Sequence, residues 1–255
     1  MMAIPQTFDA FVPSNFEKLI AKGNFKPTYV GLEELKAFDT AEFRKSYELA
    51  KKLTSESIFN HSLRMYYYSL AILHSGFPSK TPSVPQIARE EVFKRVYLGT
   101  VLHDLGLSTN EEVTTHPSHE MTFEFTGGII AFEHLVQTYG PLLNASEIGD
   151  VTQSIMLHTN PFNAGMSSAT AMLVQLSAFF DLGGYDAFGR PELLDCMLHA
   201  DTVKEIQDAI PKEQLAKEFL SGLEVMVKAK PNCIVAHNRE ALEHSEKLLR
   251  KQIVA

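Results

Sequence analysis

The chain has 255 residues, 45% hydrophobic and 21% charged, with no low-complexity run and no repeat; this is the profile of a soluble globular protein large enough to bury a core without staples. A formal net charge of −8 argues against a general nucleic-acid binder, whose affinity depends on neutralising phosphates, and leaves small neutral or cationic ligands. Cys196 and Cys233 lie far apart without CxxC spacing, so neither a disulfide framework nor a thiolate zinc site is indicated, and no apolar stretch reaches the roughly 20 residues of a membrane span.

The N-terminus lacks a basic region followed by an apolar one, so a cytoplasmic protein with no membrane association is expected. Residues 1–38 carry Pro5, Pro13, Pro27 and Gly31 and read as an irregular arm with one short helix around 15–21, leaving 39–255 as a single helical domain. A helix is expected over 40–53, capped by Asp39 or Thr40. The next, over 56–74, is apolar around most of its circumference and belongs in a core. One of its stripes is Ile58, His61, Met65, Tyr68 and Ile72, in which His61 stands where a hydrophobe should.

After a surface loop over 76–85, apolar stripes in the helix over 91–105 run into His103 and Asp104. Gly106 is placed to supply a left-handed stop, with the negative end of the helix dipole toward the pair. Residues 108–118 read as a loop, with His116 and His119 at its rim. The long helix over 118–139 carries Gly127 and Gly128 in its middle, each costing about 1 kcal/mol relative to alanine, which points to another backbone or a ligand close by. Helices over 144–158 and 167–181 follow, stopped by Thr159-Asn160-Pro161 and by Gly183-Gly184. Three more over 192–203, 211–229 and 239–252 are rich in Lys and Glu and are expected to pack outside the core. No segment keeps period-two alternation, so the architecture is all-α.

His61, His103 with Asp104, His158 and Asp181 all lie on or near apolar stripes, the last three positions at helix C-termini. Burying several ionisable groups costs several kcal/mol unless they share a counter-charge, and a divalent cation supplies one.

The order His61, His103-Asp104, Asp181 resembles that of the HD superfamily. Asn60-His61-Ser62-Leu63-Arg64, Leu102-His103-Asp104-Leu105-Gly106, Met121-Thr122-Phe123-Glu124-Phe125-Thr126-Gly127-Gly128 and the run from Gln175 through Asp181 to Asp186 are similar to the fungal cyanamide hydratase branch of that superfamily. These blocks span residues 60–186. One departure stands out: the histidine matching His158 is usually followed by an acidic pair, whereas Thr159 and Asn160 follow it here, which bears on the substrate.

The resemblance implies an all-α HD-domain fold and one divalent metal ion held by His61, His103, Asp104 and Asp181. Zinc is the first expectation, with iron or manganese as alternatives for a mixed nitrogen and oxygen shell. It further implies water addition to cyanamide to give urea, with Asp104 accepting a proton from water and His158 delivering one to nitrogen or holding the substrate. Phe123, Glu124, Thr159 and Asn160 are the remaining candidate pocket residues. Two other readings stand beside this one: a metal-dependent phosphohydrolase of nucleotides or other phosphomonoesters, with Arg64 as its cation, and a non-catalytic HD binding module. A small-molecule substrate is expected for either enzyme; a homo-oligomer is left open.

Overall fold

Apolar periodicity becomes helix almost wherever it persists. The computed structural model describes residues 4–38 and 40–254. Over these the chain forms α1 (Phe16–Lys22), α2 (Leu32–Leu35), α3 (Arg44–Leu53), α4 (Glu56–His74), α5 (Arg89–Leu102), α6 (Glu111–Thr114), α7 (Phe123–Tyr139), α8 (Ala145–Leu157), α9 (Ala169–Gly183), α10 (Glu192–Asp195), α11 (Ala200–Ala209), α12 (Leu215–Ala229), α13 (Ile234–His237) and α14 (Arg239–Val254). The fold is thus all-α in class. None of these helices is long and apolar enough to cross a membrane.

Polar caps set several of the boundaries. The Ser55 side chain accepts from the Ile58 N–H at the start of α4, and Asn144 and Glu147 form a reciprocal capping box at the start of α8. Thr40 precedes a 3-10 turn at Ala41–Phe43 and makes no side-chain cap there, and Asp39, the alternative cap, lies outside the described residues. Residues 108–118 hold the short helix α6, and a 3-10 turn at Pro117–Glu120 delays the start of the long helix to Phe123.

Strands do occur, contrary to expectation. β1 (Thr7–Asp9) pairs antiparallel with β3 (Gln86–Ala88), and β2 (Phe11–Pro13) with β4 (Met166–Ser168). At three residues each they are too short for alternation to register in the sequence. The N-terminal stretch is therefore an integral layer and not an irregular arm. Phe8, Val12, Leu19 and Val30 are fully buried in the main core. Its carbonyls also serve two helices: Gln6 O accepts from the Arg89 N–H that opens α5, and Ala10 O from the Ala169 N–H that opens α9. Both donors would otherwise be unpartnered at a helix start.

The centre is α4 packed on α5 and α9, with α5 and α7 closing against α8. Close backbone contact fixes where α7 meets the end of α5. A Cβ on Gly106 would stand 1.9 Å from Phe123 O, and one on Gly127 would stand 3.0 Å from His103 O. This accounts for the glycine within α7 that costs helix propensity. It also corrects the expectation for Gly106, which lies in a 3-10 turn at Leu105–Leu107 and is absent from the glycines with positive φ; proximity, not handedness, demands glycine there. Gly184, with φ 62°, does terminate α9 in a conformation L side chains rarely adopt.

α12 departs from its expected place outside the core. It buries Leu215, Phe219, Leu223 and Met226 in a second apolar cluster with Ile58 of α4 and Phe123 of α7.

Candidate metal centre

His103 and His158 occupy equivalent positions, each the residue just past the last turn of its helix, α5 and α8. Each turns Nδ1 back to a carbonyl three residues earlier: His103 to Thr100 O and His158 to Ile155 O, both at 2.7 Å. The helix end supplies the acceptor, so Nδ1 carries a proton and donates, and each ring presents Nε2 forward. His61, in the middle of α4, reaches the same state by another route, with Nδ1 donating to Asp181 Oδ2 at 2.7 Å.

The three forward nitrogens converge on Asp104. His61 Nε2 and His103 Nε2 lie 3.3 Å apart. Asp104 Oδ2 is 3.1 Å from His103 Nε2 and 3.7 Å from His61 Nε2, while Oδ1 is 3.8 Å from His158 Nε2. The ligand atoms of His61, His103 and Asp104 all fall within 4.8 Å of one another, and all three residues are buried.

Neither Asp104 oxygen receives a hydrogen bond. Lone pairs of imidazoles and of a carboxylate thus face one another in a buried space with no proton assigned between them, an arrangement that is costly without positive charge. Two imidazole nitrogens and a carboxylate are donors suited to a divalent ion, so His61, His103 and Asp104 fit the group, without Asp181, the fourth ligand expected. Burial drives the Asp104 carboxyl upward, but His103, His61 and His158 outweigh it and hold it at about 2. Burial and the neighbouring His103 push His158 down to about 4, and burial lowers His61.

Asp181 sits behind His61, away from that convergence. Arg64 grips it through Nε to Oδ1 at 2.8 Å and Nη2 to Oδ2 at 2.7 Å. Lys212 Nζ donates to its backbone oxygen at 2.6 Å and lies 3.3 Å from Oδ1. Burial alone would raise the Asp181 carboxyl, yet Lys212, Arg64 and the His61 hydrogen bond hold it well below the usual range. A carboxylate behind an imidazole fixes the tautomer and direction of that ring.

A cavity of about 30 Å³ opens on the cluster, lined by His61, His103, Asp104 and His158 with Thr159, Ala178, Phe179, Leu182 and Phe219. Phe123 and Glu124 stand one layer back. The Phe123 ring meets His158 edge-on at 5.6 Å, and Glu124, whose carboxyl burial pushes up, accepts from the hydroxyls of Thr122 and Thr159. Asn160 does not line the cavity; its Oδ1 accepts from Asn238. His116 caps the 3-10 turn before α7, and His119 lines a separate, larger groove. Ala178 and Phe219 went unforeseen. Ala178 lies one turn before Asp181 on the same helix and was within reach of helical spacing, whereas nothing local marks Phe219.

No protein-family model matches the chain. It is homologous to two proteins of Saccharomyces cerevisiae, Cyanamide hydratase DDI2 and Cyanamide hydratase DDI3. Each is 26% identical to it over 193 residues, covering 76% of this chain and 75% of the relative.

Proposed function

We propose that this chain is a metal-dependent hydratase of the HD type that adds water to cyanamide to give urea. The observation that carries the reading is the 30 Å³ cavity into which three imidazole Nε2 atoms and an unpartnered carboxylate face. That volume holds one or two water-sized groups, far too little for a nucleotide. Arg64, the cation that phosphoester chemistry would draw on, is fully buried and donates to Asp181 and to the carbonyls of Ile210 and Pro211. Homology to two proteins named for cyanamide hydration points the same way.

His61, His103 and Asp104 would hold the ion, with Asp181 orienting His61 from behind. Zinc is the ion proposed, and iron or manganese suits the same donors. Bound there, it supplies the positive charge that lowers the pKa of a water molecule to about 7 in the zinc case.

The residues then divide the proton work. Asp104 Oδ1 takes a proton from water as the water oxygen bonds to the nitrile carbon. His158 Nε2, 3.8 Å away and without a proton of its own, relays that proton to the nitrile nitrogen. The product of that step is an isourea, which tautomerises to urea. Because the Thr159 hydroxyl donates to Glu124 Oε1, its oxygen keeps lone pairs for the amino group of cyanamide.

Metal analysis of protein purified without chelator, paired with a urea assay on cyanamide, tests the reading. A stoichiometric ion and urea formation are expected; zinc-loaded protein that forms no urea overturns it.

A further inference from the structure

The four inward-facing groups are 0% to 4% exposed, so whatever reaches them passes the side chains that line the cavity. One side chain belongs to that wall and also to a second, larger space. Phe219 of α12 lines the inner cavity and a groove of about 580 Å³ between the start of α4, the 3-10 turn after Asp104 and α12. Its ring faces His61 at a centroid distance of 6.4 Å. Phe123, whose ring touches His158, lines the same groove. The groove is mostly apolar, with Ile58, Val225 and Met226 among its walls.

We infer that the groove is the antechamber of the reactive cavity and that Phe219 is the partition between them, setting the largest nitrile the site accepts. The residue before it explains how the ring is held. Glu218 Oε2 accepts from the hydroxyls of both Ser55 and Ser57, each at 2.5 Å, which ties this turn of α12 to the first turn of α4. The competing route runs past Leu182 and Thr159, which also line the cavity and are partly exposed.

The substrate part of this inference rests on the hydratase reading, so the experiment has an arm that does not. Phe219→Ala and Leu182→Ala are compared with the unmodified chain, using cyanamide, its N,N-dimethyl derivative and a chelator that captures released metal. Phe219→Ala is expected to raise the ratio of kcat/KM for the dimethyl compound over cyanamide by about tenfold or more, the scale at which an apolar pocket discriminates methyl groups. It is also expected to speed metal capture several-fold at unchanged initial metal content, and by more than Leu182→Ala does. Should Leu182→Ala speed metal capture as much as Phe219→Ala or more, or Phe219→Ala move neither readout, the partition is overturned.

If no form makes urea, the hydratase reading fails and the capture rates still decide the partition. If the protein binds no metal, acylation of His61 and His158 by diethyl pyrocarbonate replaces capture, with acceleration in Phe219→Ala expected and equal rates overturning the inference. Phe219→Leu serves where the alanine variant does not fold.

Discussion

Asp104 and Asp181 are both buried carboxylates, one on each side of the same imidazole, and their surroundings are opposite. Asp181 is saturated by Arg64, His61 and Lys212, whereas Asp104 receives no hydrogen bond. A buried charge that is fully paired behaves as scaffold, because removing one partner strands the others. A buried charge left without donors is a cost the fold carries for a ligand. The pair teaches that burial and residue type alone do not tell two carboxylates apart; the occupancy of their lone pairs does.

The contrast breaks if the two residues respond alike. Asp104→Asn is expected to reduce urea formation on the order of a thousandfold or more, as when a group acting directly in the reaction is lost. In chelator-treated protein the same change should leave the melting temperature unchanged or raised. Asp181→Asn should do the reverse in stability, costing about 3–5 kcal/mol in denaturant titration by leaving buried Arg64 unpaired. Metal titration of that variant should show affinity weakened about 10- to 100-fold, the usual effect of losing the group behind a ligand.

A smaller effect sharpens the polarity of the cavity. Thr159→Val should raise KM for cyanamide about fivefold with little change in kcat, the scale of one neutral hydrogen bond, and Thr159→Ser should restore it.

The smallest lies away from the site, at Glu147. Burial would raise this carboxyl, but Lys94 and the Asn144 backbone N–H outweigh it and its value is lowered. A lowered folded value means that its stabilisation is present above the unfolded value near 4.5 and is lost as pH falls through the folded one. Glu147→Gln should therefore cost about 1 kcal/mol at pH 7, the worth of a capping interaction, and the gap to the parent should close in acid denaturation at lower pH.

The helical class and the inward residues were legible because polar side chains interrupt apolar stripes: His61 in α4, His103 and Asp104 at the end of α5, His158 at the end of α8. Which carboxylate stays free was not. Arg64 lies one turn beyond His61 on α4, and only the packing of α9 and the turn before α12 shows both gripping Asp181. The close approach announced by Gly127 was readable from its cost to the helix, while the reason for Gly106 was not, since a steric demand from Phe123 O leaves no local pattern. Phe219 was hidden for a related reason: it belongs to an amphipathic helix whose apolar side gives no sign of which neighbour it meets.

The N-terminal segment that carries β1 and β2 has a mechanical consequence. It tethers the starts of α5 and α9 through Gln6 and Ala10, while Asp104 and Asp181 lie just beyond or within the last turns of those helices. At 1.5 Å per residue each helix is a lever of about 20 Å, so the separation of its working tip from that of its neighbour is decided a full helix-length away. A one-residue slip in either ladder would rotate the tether's side chains to the opposite face and drag one lever along its axis. The placement of Asp104 and Asp181 on either side of the His61 ring is thus set partly from the far end, with every residue that lines the cavity left as it is.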